Sequence, residues 1–231
     1  MHSSLDLSSP SASMSDPPAL HSVRVARTAR YATLGSPSTA ASWWVVLHGY
    51  GQLASDFIQA FEPVVTPDRC VVAPEGLSRF YVDGMDEHEQ VGASWMTHEA
   101  RADEIHDYVT ALDTVVQDLA EDRPPSLHVL GFSQGAATAS RWALLGSTAV
   151  DRLTLWGGPL AHDLDLAAHA ASLRAMPLTF VWGTNDPHMA TGDHTAVRRR
   201  LQVHDIPATF RTFDGGHRLD EPLIRALTDD A

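Results

Sequence analysis

Leu127-His128-Val129-Leu130-Gly131-Phe132-Ser133-Gln134-Gly135-Ala136-Ala137-Thr138-Ala139 is the stretch on which the reading of this chain turns. A β-type apolar run, Leu127 to Leu130, leads into Gly131-Phe132-Ser133-Gln134-Gly135, and small residues then open a helix. A Gly-x-Ser-x-Gly string alone means little, arising by chance in roughly one chain in ten of this length. Its setting carries the weight: strand, sharp turn and helix are the context of a nucleophile elbow, which presents a serine hydroxyl at the carboxyl edge of a sheet. The plain alternative is that Ser133 merely caps a helix.

On either side, short apolar runs alternate with helical patterns. Val45-Val46-Leu47, Cys70-Val71-Val72, Leu153-Thr154-Leu155-Trp156 and Leu178-Thr179-Phe180-Val181-Trp182 read as buried strands, each bounded by Gly, Pro or polar residues. From about His98 to Ala120, Ile105, Tyr108, Val109, Leu112, Val115, Val116 and Leu119 fall on one face of a helix. Strands alternating with amphipathic helices imply βαβ units: an α/β fold whose mostly parallel central sheet is flanked by helices on both faces. Ligands of such sheets bind at the carboxyl ends of the strands, so chemistry is expected just after each strand.

A serine hydroxyl needs a base and an orienting carboxylate, and after an elbow these follow in the order Ser, Asp, His. Asp186, in Gly183-Thr184-Asn185-Asp186-Pro187, stands just past the run ending at Trp182. His217, in Asp214-Gly215-Gly216-His217, follows the strand-like Thr209-Phe210-Arg211-Thr212-Phe213. Both match by order and place, with Asp214 and Asp193 as substitutes for the acid. The oxyanion of a tetrahedral intermediate needs amide donors. Gln134 supplies one by position, and Tyr50, through its main chain in His48-Gly49-Tyr50-Gly51, is the expected second. His48 itself reads as a structural loop histidine.

Taken together, Leu47-His48-Gly49-Tyr50-Gly51, Gly131-Phe132-Ser133-Gln134-Gly135-Ala136, Asn185-Asp186-Pro187 and Gly215-Gly216-His217 resemble the phospholipase/carboxylesterase family of α/β-hydrolases, which includes acyl-protein thioesterases. The resemblance spans about residues 42 to 229. It implies a triad of Ser133, Asp186 and His217, oxyanion amides at Tyr50 and Gln134, and hydrolysis of carboxylic esters, thioesters or lysophospholipids. The family often has leucine where Tyr50 stands, so the amide role transfers and the side chain's effect does not. Acyl transfer or amide cleavage on the same triad, or an inert binding module of the same fold, are the alternatives.

Arg79-Phe80-Tyr81-Val82-Asp83-Gly84 and Gly92-Ala93-Ser94-Trp95-Met96 look like that family's variable substrate-facing loop. Trp95 and Met96 are read there either as lining an acyl groove or as ordinary packing. Asp86-Glu87-His88-Glu89 carries metal-ligand types, but consecutive residues rarely converge on one ion, and a solvated charged loop is the better reading. The same holds for His162, Asp163, Asp165 and His169. Neither a phosphate loop nor a dinucleotide fingerprint occurs, so no cofactor is expected. Between Gly157 and Met176 there is room for one crossover helix, Leu164 to Arg174, and nothing for a cap domain. The other long insert, Gly76 to Thr97, is rich in Asp and Glu.

Composition bounds the rest. The 231 residues carry 16 basic and 29 acidic side chains, a net charge of −13, which argues against partners gripped by phosphate contacts or anionic membranes. All the basic residues are arginine, which excludes Schiff-base and Ser-Lys chemistry. The lysine-free composition fits either GC-rich codon usage or adaptation to salt. Apolar types at 44% allow a sizeable core, and no apolar run approaches the roughly 20 residues of a membrane span. A single cysteine, Cys70, fits a reducing cytosol, the expected location. Residues 1–20, with seven serines and three prolines, read as a disordered leader in which Met14 is a possible true start, and 21–231 as one domain. The expected partner is a small-molecule ester or thioester.

Overall fold

The computed structural model describes residues 19–83, 88–119, 126–188 and 191–229. Nearly all of the expected leader therefore lies outside the described residues, and 19–30 run without regular structure along the surface.

Nine strands are described: β1 (Tyr31–Leu34), β2 (Ser42–Leu47), β3 (Arg69–Pro74), β4 (Ser78–Tyr81), β5 (Val91–Ser94), β6 (Ser126–Phe132), β7 (Arg152–Trp156), β8 (Leu178–Gly183) and β9 (Thr209–Phe213). Seven form one sheet in the order β1-β3-β2-β6-β7-β8-β9, parallel throughout except for the antiparallel edge strand β1. β4 and β5 pair as a separate antiparallel hairpin. The helices are α1 (Ala54–Phe57), continued by a 3-10 segment (Ile58–Val64), α2 (Arg101–Leu119), α3 (Gln134–Leu145), α4 (Ala170–Ala175), α5 (Thr191–Gln202) and α6 (Glu221–Asp229).

Why the sheet is covered on both faces is visible in Ser42-Trp43-Trp44-Val45-Val46-Leu47. Successive side chains of a strand point to opposite faces. Trp43, Val45 and Leu47 enter the core under α2 and α3, with Tyr108, Leu112 and Trp142. Trp44 and Val46 enter a second core with Phe57, Phe61, Ile224 and Leu227 from α1, the 3-10 segment and α6. A strand buried on both sides needs apolar residues at every position, hence the unbroken run.

The structure differs from the sequence reading at two elements. α4 covers only Ala170–Ala175 rather than Leu164 to Arg174. Asp165 Oδ1 accepts the Ala167 and Ala168 amides at 3.0 and 3.2 Å, closing a turn where the helix was expected to begin. The insert from Gly76 to Thr97 contains the β4–β5 hairpin, pinned by Asp83 Oδ2, which accepts the amides of Glu89 and Gln90.

Candidate active site

The elbow is built by backbone crowding. Ser133 has φ 55° and ψ −117°, outside the regions that L-residues ordinarily occupy, so the turn is strained. A Cβ on Gly131 would lie 2.1 Å from Gly135 O, and one on Gly135 would lie 2.2 Å from Leu47 O. Only glycine fits at either place. The second approach also presses the start of α3 against the loop leaving β2.

Later loops are fastened in turn to the carboxyl edge. Ser133 N–H donates to Trp156 O at 2.8 Å, Gly157 N–H to Val181 O at 2.7 Å, and Thr184 N–H to Phe213 O at 2.9 Å. Asn185 N–H donates to Gly215 O at 2.9 Å, and a Cβ on Gly183 would come within 2.1 Å of that same oxygen. Gly183, having no Cβ, thus permits a tight approach between the loops after β8 and β9.

This fastening brings Ser133, His217 and Asp186 together. His217 Nδ1 lies 2.7 Å from Asp186 Oδ2, and its Nε2 lies 2.8 Å from Ser133 Oγ. An ionised carboxylate only accepts, so Nδ1 carries the proton and Nε2 is left to accept from the serine hydroxyl. The Asp186 side chain is 1% exposed, and its other oxygen accepts the His188 amide at 2.9 Å. Phe132 and the exposed His188 flank the His217 ring, at centroid distances of 4.9 and 4.6 Å. Asp214, the substitute acid, is exposed and accepts from Asn185 Nδ2 at 3.3 Å, apart from the histidine. The side chain of Asp193 lies outside the described residues.

Tyr50 and Gln134 stand on the two loops that Gly135 brings into contact. Neither amide has a hydrogen-bond partner among the described residues, and Gln134 is the first residue of α3, where amides point out of the helix. Gly49 rests on the serine: a Cβ there would be 3.2 Å from Ser133 Cβ. His48 is fully buried, its Nδ1–H donating to Gly49 O at 2.7 Å and its Nε2 accepting the Gly76 amide at 2.9 Å. Burial holds its pKa below the usual histidine value.

Trp95 and Met96 do not line an open groove, because the structure buries both, at 3% and 8% exposure. The Trp95 ring stacks on His48 at 4.9 Å and its Nε1–H donates to His48 O at 2.8 Å. Met96 Sδ lies 3.4 Å from Arg141 Nη1. The reason is the Gln134 side chain, whose Oε1 accepts the Trp95 amide at 3.1 Å while its Nε2 donates to Met96 O at 2.8 Å. That clamp was not anticipated from the sequence, which assigned Gln134 a main-chain role only. Glu75, also missed, is a buried carboxylate after β3 that takes both nitrogens of an Arg30 fork at 2.9 Å and Arg79 at 3.1 Å. Its signal was available: an acidic residue directly after an apolar strand demands a partner.

Of the candidate metal-ligand runs, Asp86 and Glu87 lie outside the described residues. Asp163 is engaged by Arg141 at 2.9 Å and Arg101 at 3.0 Å, which hold its carboxyl below the usual carboxylate range against the opposing effect of burial. Among the described residues no helix is long and apolar enough to cross a membrane.

Comparison with known proteins agrees with the fold. The family described as Serine hydrolase (FSH1) matches residues 44–219. No curated protein sequence matches the chain. Among solved structures, the fold is similar to Zea mays acyl-protein thioesterase 2, at 17% identity over 87% of this chain and 97% of that one, with TM-score 0.68. It is similar to esterase PE8 at 21% identity, 88% and 98% coverage and TM-score 0.64. It is similar to the Bacillus cereus carboxylesterase at 16% identity, 87% and 92% coverage and TM-score 0.62. These neighbours share the α/β-hydrolase fold expected from the motifs.

Proposed function

The chain belongs to the serine hydrolase (FSH1) family, and from that premise we propose that it is a carboxylic ester hydrolase working through Ser133, His217 and Asp186. The observation that carries the reading is the unbroken relay from Ser133 Oγ through His217 to Asp186, at 2.8 and 2.7 Å.

In the proposed mechanism, Ser133 Oγ attacks the substrate carbonyl while His217 Nε2 takes the hydroxyl proton. Asp186 holds the ring in the Nδ1–H tautomer and offsets the charge of the imidazolium. The amides of Tyr50 and Gln134 receive the oxyanion, helped by the positive end of α3. His217 then gives its proton to the leaving alcohol or thiol, and an acyl-Ser133 ester remains. Water, deprotonated by His217, attacks that ester and releases the acid. This chemistry draws on no group beyond the chain and water. The substrate class is a small-molecule ester of short or medium acyl length, with thioesters and lysophospholipids as further members.

The deciding experiment pairs a fluorophosphonate probe with a panel of p-nitrophenyl esters, acyl thioesters and lysophospholipids. Labelling at Ser133 is expected, and Ser133→Ala should lower ester hydrolysis by at least about four orders of magnitude with the fold intact. Hydrolysis near the wild-type rate in a correctly folded Ser133→Ala protein refutes the assignment.

A further inference from the structure

An open pocket of about 650 Å3 lies beside the loop that carries the Tyr50 amide. Gly51, Asp56 and Phe57 line one side, and Val82, Glu89 and Val91 of the hairpin line the other. The two sides are fastened together. Gly51 N–H donates to Ala93 O at 2.9 Å, Gln52 bridges to Ala93, and a Cβ on Gly92 would come within 2.3 Å of Gly51 O. The same loop reaches the reacting serine: a Cβ on Gly49 would lie 3.2 Å from Ser133 Cβ, and Gly51 follows two residues later, its Cα at most about 8 Å from that of Gly49.

Its chemistry is one-sided. The charged lining residues are the carboxylates Asp56 and Glu89, between the partly exposed apolar side chains of Val82 and Val91. Asp83 fixes the position of Glu89 through its amide and adds a third carboxylate to the same hairpin end. Arg79, the basic residue of β4, is turned to Glu75 at 3.1 Å and does not neutralise them. Next to the pocket, the Tyr50 ring is 61% exposed and packs against Phe80 at a centroid distance of 5.0 Å. Carboxylates, aliphatic walls and an exposed aromatic face together suit an organic cation, which both the charges and the ring quadrupole attract.

We propose that this pocket is a subsite for an alkylammonium portion of the ester substrate, so that the enzyme favours cationic over isosteric neutral esters. The proposal rests on the serine-hydrolase reading above and adds the charge of the substrate to it. The test compares butyrylcholine with 3,3-dimethylbutyl butyrate, which differ in one atom and one charge. At low ionic strength kcat/KM should favour the cation about five- to tenfold, and about 0.5 M sodium chloride should erase most of that advantage. Asp56→Asn combined with Glu89→Gln should bring the ratio close to one while the neutral ester and fluorophosphonate labelling of Ser133 are unaffected. Equal rates on the two esters in the wild type, or a preference that survives both substitutions, overturns the subsite alone. Failure to cleave the neutral ester, with Ser133 unlabelled, overturns the serine-hydrolase reading beneath it.

Discussion

At the scale of single residues, the relay depends on how many partners hold each member. Asp186 is almost wholly buried and is fixed from two sides, by His217 Nδ1 and by the His188 amide. Asparagine there would keep the shape but would present an amide capable of donating to His217, favouring the tautomer that cannot accept from Ser133. Asp186→Asn is therefore expected to lower kcat about 10³- to 10⁴-fold while KM moves by no more than a few-fold, since the lost contact strengthens mainly in the transition state. Asp214→Asn should leave both constants within about two-fold, because that carboxylate meets Asn185 rather than the histidine. Steady-state kinetics on one p-nitrophenyl ester checks both. A crippled Asp214→Asn beside an active Asp186→Asn would reassign the acid.

At the scale of elements, the parts most legible in the sequence were those with a strong local pattern. β2, β3, β6, β7, β8 and β9 appear within a few residues of the apolar runs that announced them, and α2 within about three residues of its amphipathic stripe. The elbow and the order of Ser133, Asp186 and His217 were legible because glycines and strand ends punctuate them. What stayed hidden depended on contacts between distant residues. β1 alternates weakly and exists by pairing with β3, and the hairpin is defined by bonds from Asp83 and to the loop after β2. Burial of Trp95 and Met96 comes from Gln134, some 40 positions away, which no local period reveals. The same element map bears on lids. The crossover between β7 and β8 holds only α4, and the hairpin side of the site carries carboxylates rather than the apolar face of a lipid-binding helix. Saturation kinetics without interfacial activation are expected, measured as rate against tributyrin on both sides of its solubility limit. A sharp rise at the emulsion would reveal a closing element within one of these two segments.

At the scale of the whole molecule, stability follows from what has been buried and what has been left charged. His128 sits in the core side of β6, stacked on Trp44 at 5.2 Å, with Nε2 2.7 Å from Ser126 Oγ. Burial, reinforced by the nearby Arg152, pushes its pKa down to about 4, against about 6.5 in the unfolded chain. Between those values the unfolded state binds more protons, so this contribution is whole above about pH 6.5 and is lost as the pH falls toward 4. Buried His48 is shifted the same way and acts in the same sense. Chemical denaturation should show stability falling on acidification through this window, by up to about 3 kcal/mol for His128 alone, and His128→Phe should flatten the slope. Charge is the other whole-molecule term. With 29 acidic and 16 basic side chains, the chain carries 13 uncompensated negative charges at neutral pH, all but two of the acids within 21–231, and their repulsion opposes the compact state. The exposed ion pairs that salt would weaken, such as Arg225 with Glu221, contribute little, so screening should act mainly on the repulsion. At about 1 M salt the screening length is roughly 3 Å, shorter than most separations between surface charges. The melting temperature should therefore rise with sodium chloride. Sucrose and equimolar sulfate separate the causes, because sucrose stabilises by exclusion without carrying charge and sulfate does both. A rise with chloride that exceeds any rise with sucrose identifies screening. A melting temperature unmoved by chloride would leave the arginine-only composition to codon usage and remove salt adaptation as its explanation.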